Sequence, residues 1–207
     1  MTSQTNTTQA RARKWMLASL VLSAITVLAA LPAFSSRGPK AETIEASAMG
    51  TGSQMGQVIG VSIEIYEFST PEDKQMLGEA FAKGQNQGLV NALTKMRAVG
   101  HISVTGTLGY GLVFIRMIPT PTGRKIRFVT NRQLRFGEVW ADAQSTAYNL
   151  TAGEFDLDNT DKSKNTGVLY PECQLVIDKE GQLQIQLNQN AWKLSDVLDW
   201  AGTAGVN

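Results

Sequence analysis

The stretch Gly109-Tyr-Gly-Leu-Val-Phe-Ile-Arg-Met-Ile-Pro-Thr-Pro-Thr-Gly-Arg-Lys-Ile-Arg-Phe-Val-Thr-Asn-Arg132 decides how this chain folds. Two apolar-rich runs, residues 112–118 and 125–130, flank a Pro-Thr-Gly turn, which is the pattern of a β-hairpin. Alternation along a strand sends neighbouring side chains to opposite faces. It predicts Arg116 on one face with Leu112 and Phe114. In the second arm Lys125 and Arg127 share a face with Val129, while Ile126 and Phe128 take the other. If the register places Arg116 beside Arg127, the hairpin presents a surface that mixes cations with apolar groups.

Upstream of the hairpin, Val61, Ile63 and Ile65 alternate with Ser62, Glu64 and Tyr66, the mark of a half-buried strand. That strand stops at Ser69-Thr70-Pro71-Glu72-Asp73, where Thr70 is placed to cap a helix, Pro71 to start it and Asp73 to close a capping box. Met76, Leu77, Ala80 and Phe81 then fall on one helical face, and Lys83-Gly84 predicts an end with a left-handed glycine. Leu89, Val90, Leu93 and Met96 mark a second helix that ends before Gly100. The two make an antiparallel pair or a bent helix.

Downstream, His101–Thr105 reads as a short strand, 146–157 as a strand broken or bulged near Gly153, and 168–177 as a strand with an edge or bulge at Pro171. Leu183, Ile185 and Leu187 alternate with glutamines behind the turn Asp178-Lys-Glu-Gly181. The tail from Ala191 to Trp200 is open to strand or helix, and Ser195-Asp196 tips it towards a helical turn. The predicted fold class is α+β: a mostly antiparallel sheet with a two-helix insertion after the first strand, preceded by an N-terminal signal or anchor helix.

The order of short motifs carries a resemblance. Ser69-Thr-Pro-Glu-Asp73 is followed by Leu77-Gly-Glu-Ala-Phe81, Gly88-Leu-Val-Asn-Ala-Leu-Thr-Lys-Met96, Val99-Gly-His-Ile102 and Gly106-Thr-Leu-Gly-Tyr110. Then come Val129-Thr-Asn-Arg132 and Phe136-Gly-Glu138. Across about residues 57–190 this order is similar to a family of uncharacterised exported bacterial proteins with no assigned activity. The motifs are structural punctuation. The resemblance implies a bacterial exported domain and transfers no functional residues.

The N-terminus points the same way. Arg11, Arg13 and Lys14 precede an uncharged apolar run from Trp15 to Leu31, and Ala33-x-Ser35 forms a small-x-small cleavage signal. Residues 1–35 are therefore expected to be a signal peptide or membrane anchor. Cleavage is the preferred reading, with export to the periplasm or beyond. The alternative is inner-membrane anchoring by residues 15–34, the only membrane contact expected. Loss of those three basic groups takes the formal net charge from +1 to −2. Residues 36–56, rich in Ser, Gly, Ala and Thr, are assigned to a flexible linker, and 57–207 to a single α+β domain.

Motifs for chemistry are sparse. The chain has one histidine, His101, and one cysteine, Cys173. A zinc site needs three or four protein ligands and a Ser–His–acid system needs an oriented histidine, so neither is predicted. Cys173 lies in an apolar strand, where a thiol is inert. The glycines of residues 106–111 precede a strand rather than a helix, which argues against a phosphate loop. Residues 156–161 carry three aspartates but lack the glycine and glutamate of a calcium-binding EF-hand loop. No cofactor or metal is expected. Glu154, Asp156 and Asp158 would project from one strand face about 7 Å apart, a spacing compatible with paired-carboxylate hydrolysis.

Charge distribution is the strongest functional signal. No acid occurs between Glu79 and Glu138, a stretch with nine basic residues, whereas Glu138 to the C-terminus holds 11 acids and four lysines. A near-neutral total gives no reason to expect nucleic acid. The reading preferred for function is a non-enzymatic binding or interaction module. Its basic sheet face (Arg116, Arg124, Lys125, Arg127 and Arg132) would meet an anionic envelope component or an acidic protein. Two alternatives compete: an envelope hydrolase using the later carboxylates, and simple cross-strand neutralisation of the basic strands by the acidic ones.

Overall fold

A computed structural model of the chain describes residues 42–134 and 147–200. Its strands are β1 (Glu42–Met49), β2 (Val58–Ile65), β3 (Gly100–Val104), β4 (Tyr110–Leu112), β5 (Phe114–Pro119), β6 (Gly123–Thr130), β7 (Leu150–Asp158), β8 (Thr166–Ile177), β9 (Leu183–Leu187) and β10 (Trp192–Asp199). A helix, α1 (Pro71–Leu93), lies between β2 and β3. All strand pairs are antiparallel. The mostly antiparallel sheet is as expected.

Its closure was not expected. The hydrogen-bonded order runs β4-β3-β2-β1-β10-β8-β7-β6-β5. β4 and β5 are one run of chain interrupted only by Val113, so the two ends of the sheet are joined. The Val113 N–H itself donates to the Val129 carbonyl at 3.2 Å, and Leu112 accepts from Val99 at 2.8 Å. With β4 and β5 counted as one strand, eight strands close an up-and-down barrel, which leaves no free edge in the ring.

The inward positions are filled by side chains, among them Ile44, Ile63, Ile102, Phe128, Phe155 and Trp192, all buried. The rings of Phe128 and Phe155 lie 5.9 Å apart in a tilted pair. Gly153 stands opposite Phe128 in the register, and a Cβ there would come within 2.3 Å of the Phe128 ring. The glycine thus makes room for the aromatic ring.

Residues 36–56 are not wholly the flexible linker that their composition suggests. Glu42–Met49 form β1, with Ile44 and Ala48 fully buried inside the barrel. Small inward residues and polar outward ones give this strand low overall hydropathy, and that hides its alternation. The helical insertion is one helix broken at Gly84–Gln85, and it follows the second described strand. Thr70 Oγ1 accepts from the Asp73 N–H at 3.2 Å, and Asp73 accepts in return from the Thr70 N–H at 2.8 Å, the expected capping box. At the break, Gln85 rather than Gly84 takes the positive φ, +50°. Residues 192–199 form a strand and not a helical turn; a bulge absorbs Asp196 at φ +50°. Leu112 points into the barrel, whereas Phe114 packs with the outer cluster, because Val113 shifts the alternation between β4 and β5. Leu112 and Arg116 therefore do not share a face.

A second apolar cluster lies outside the ring. Leu77, Leu89 and Leu93 of α1 pack over Val113, Leu150 and Cys173. Beyond the ring, the far half of β8 and β9 form a hairpin arm, with Leu175 opposite Ile185. Asn86, just after the helix break, ties α1 to this arm. Its Oδ1 accepts from the Leu175 N–H at 2.9 Å, and its Nδ2 donates to Ala147 and Asn149. Residues 1–35, expected from the sequence to be a signal peptide or anchor, lie outside the described residues. Among the described residues no helix is long and apolar enough to cross a membrane.

Candidate functional site

Position on the barrel separates the five predicted basic residues. Arg124 occupies an inward position at the barrel mouth. It forms a bidentate pair with Glu42, at 3.0 and 2.6 Å, and bonds Asp199 at 2.7 Å. The Glu42 and Asp199 side chains are only 6% and 4% exposed, so this triad is a structural plug. Burial pushes the Glu42 carboxyl above its ordinary value, and the bonds to Arg124 only partly oppose it.

Lys125 and Arg127 point outward as expected, each facing an acid across the β6–β7 register. Lys125 Nζ lies 2.9 Å from both Glu154 and Asp156, and Arg127 Nε 2.5 Å from Glu154. Burial raises the Glu154 carboxyl, but its bonds to Arg127 and Lys125 outweigh this and hold it below the ordinary range. A general acid for glycoside hydrolysis needs the opposite shift. Arg132 lies past the end of β6, with its guanidinium 6.0 Å from the centre of the Tyr110 ring.

Arg116 stands apart. It lies on β5 directly opposite Arg127, so the register does place the two on one surface. Arg127 has Glu154; Arg116 has no ion pair among the described residues. Its side chain reaches a groove that sequence reading did not anticipate.

The groove runs between α1 and the outer face of the barrel. One chamber, of about 670 Å³, lies at the start of the helix and is lined by Thr70, Lys74, Gln75 and Arg116 together with the apolar Phe68 and Met117. It meets a second chamber of about 370 Å³ at Lys74, Gly78 and Arg116. The second chamber is apolar, walled by Leu77, Phe81, Leu89, Leu93 and Phe114. Through Arg127, Val129, Leu175 and Leu183 it continues into a third chamber of about 410 Å³ beside the hairpin arm. The helix is pinned on either side of the span. Ser69 accepts from and donates to the Ile115 backbone at 3.0 and 2.7 Å, and Asn86 anchors the break.

The remaining chemical candidates have structural partners. Asp158 accepts from the backbone of Thr160 and Asp161, and Asp161 accepts from Ser163, so these oxygens cap a tight turn. Cys173 is buried, which pushes its thiol up to about 12. His101 lies on β3 opposite Glu64 and Gly111, and Cys173 on the non-neighbouring β8. Gly106 and Gly109 lie in the β3–β4 connection, and Gly111 is part of β4. Lys74, Gly78 and Phe81 were missed as site residues, because helical periodicity alone does not show where a groove opens between a helix and its sheet. Comparison of the chain with protein families, characterised proteins and solved structures found no match.

Proposed function

We propose that this chain is an exported envelope protein that acts as a non-enzymatic binding module, with Arg116 and the groove under α1 as its contact site for an anionic partner. The observation that carries this reading is the contrast among the cations. Arg124, Lys125 and Arg127 are each held by acids and Arg132 stands over the Tyr110 ring, whereas Arg116 lies beside another arginine, with no ion pair among the described residues, and lines a groove. Like charges directly opposite each other on a sheet disfavour the fold slightly, and a bound anion relieves this. The binding surface is thus narrower than the whole basic stretch. The carboxylates of β7 serve to hold cations, which supports a binding role over hydrolysis.

The test is retention of the full chain on anionic material from the cell envelope. Arg116→Glu should reduce retention at least tenfold, while charge reversal at Arg132, on another part of the surface, should change it less than twofold. Equal loss in both variants would reduce the interaction to general charge and reject the site.

A further inference from the structure

We propose that the groove binds a free, single-chain amphiphile with an anionic head, seated head-first at Lys74 and Arg116 with its chain under α1. This inference rests on the reading of Arg116 as an anion contact and adds the identity of the ligand.

The groove changes character along its length. At the helix start two cations, hydroxyls and an amide stand among apolar groups, Phe68 and Met117 included; under the helix the walls are mostly leucine and phenylalanine. A ligand that fits has a compact anionic end and an apolar body. Lys74, like Arg116, has no ion pair among the described residues, and together they offer a point charge and a planar fork for a carboxylate or sulfate head. The apolar chamber of about 370 Å³ lies within the roughly 300–1,000 Å³ of small-molecule sites. It lies between α1 and the outer face of the sheet, a shape that admits a single chain. The far end also favours a long apolar body: Leu183 and Ile185 on the arm are 62% and 45% exposed and flank the continuation of the groove.

Gly78 lies where the two chambers meet. A Cβ added there meets no atom within 4 Å. Glycine lowers helix stability, so its presence at this point of α1 costs the fold and keeps the passage open. A larger residue at 78 should block the ligand without disturbing the protein.

The experiment is calorimetric titration of the full chain with octanoate, decanoate and dodecanoate, each as monomer. Dodecanol and vesicles of phosphatidylglycerol serve as comparison ligands. The expected result is one molecule bound per chain, with affinity rising about fourfold for each added methylene. Affinity should drop at least tenfold in Arg116→Gln and be lost in Gly78→Leu, with the melting temperature of Gly78→Leu unchanged or raised. Arg116-dependent binding that ignores chain length would overturn the amphiphile and leave the anion site standing. Dodecanol binding as tightly as dodecanoate, without dependence on Arg116, would overturn the anion site itself. Binding to vesicles alone, or a dimer dissolved by Gly78→Leu with no uptake of the acids, would assign the groove to a membrane or to a second copy and overturn the proposal. Full affinity in Gly78→Leu would also overturn it.

Discussion

Arg124 and Arg116 lie on two arms of one hairpin and have opposite surroundings. Arg124 points inward at the barrel mouth and is enclosed by Glu42 and Asp199. Arg116 points outward into a groove and has an arginine for its nearest cross-strand neighbour. The same residue type acts as a structural plug in one place and as an available contact in the other. The difference comes from strand phase and from which distant strands arrive beside each arm. It shows that a run of basic residues is not itself a binding face.

The contrast is broken most directly at the plug. Arg124→Met should destabilise the protein by about 3–5 kcal/mol, because two buried carboxylates lose the cation that they share. Urea denaturation measures this, and a loss below about 1 kcal/mol would mean that the mouth is wetter than its burial implies. Inside the barrel, Gly153→Ala should cost about 1–3 kcal/mol, since the new methyl meets the Phe128 ring. Combining it with Phe128→Leu should recover part of the loss, and strictly additive losses would exclude the clash as the cause.

Acid titration separates the two regions by sign. The Glu42 carboxyl is shifted above its ordinary 4.5 in the folded protein, so its contribution is fully present below 4.5 and is lost as pH rises through the folded value. Glu154 is shifted below 4.5, so its contribution is present above 4.5 and is lost as pH falls through the folded value. Glu42→Gln should therefore make stability fall more steeply on acidification, and Glu154→Gln less steeply. Urea midpoints taken from neutral pH down through the carboxylate range test this, and changes in slope of the same sign in the two variants, relative to the unsubstituted protein, would refute it. The smallest effects belong to the outer face. Arg127→Ala should cost under about 1 kcal/mol, as its pair with Glu154 is half exposed. Arg116→Ala should change stability by less than about 0.5 kcal/mol, with a slight gain from relief of the Arg127 repulsion. A large loss for Arg116→Ala would place it among the structural residues.

Local patterns were legible where they are self-contained. The capping box at Thr70–Asp73, the alternation of Val61, Ile63 and Ile65, and the inward phase of Ile126 and Phe128 each depend on a few neighbouring residues. The bulge at Pro171 was legible too, and the register shifts there between β7 and β8. β1 was missed because alanines fill its inward places beside bulky neighbours, so composition hid a core strand. The phase of Leu112 relative to Arg116 was misjudged because Val113 breaks the alternation, and only pairing to β3 on one side and β6 on the other requires that break.

The sequence alone determined the local elements: where alternation makes strands, where Thr70 starts a helix, and where positive charge is concentrated. Those features arise from interactions within a few residues. Tertiary structure alone decided that the sheet closes on itself, since closure depends on β10 meeting β1 and on β4 continuing into β5. It alone decided which cations keep acids, because Glu42 and Asp199 reach Arg124 from far along the chain. It alone formed the groove, which lies between α1, held at Ser69 and Asn86, and the outer face of the barrel.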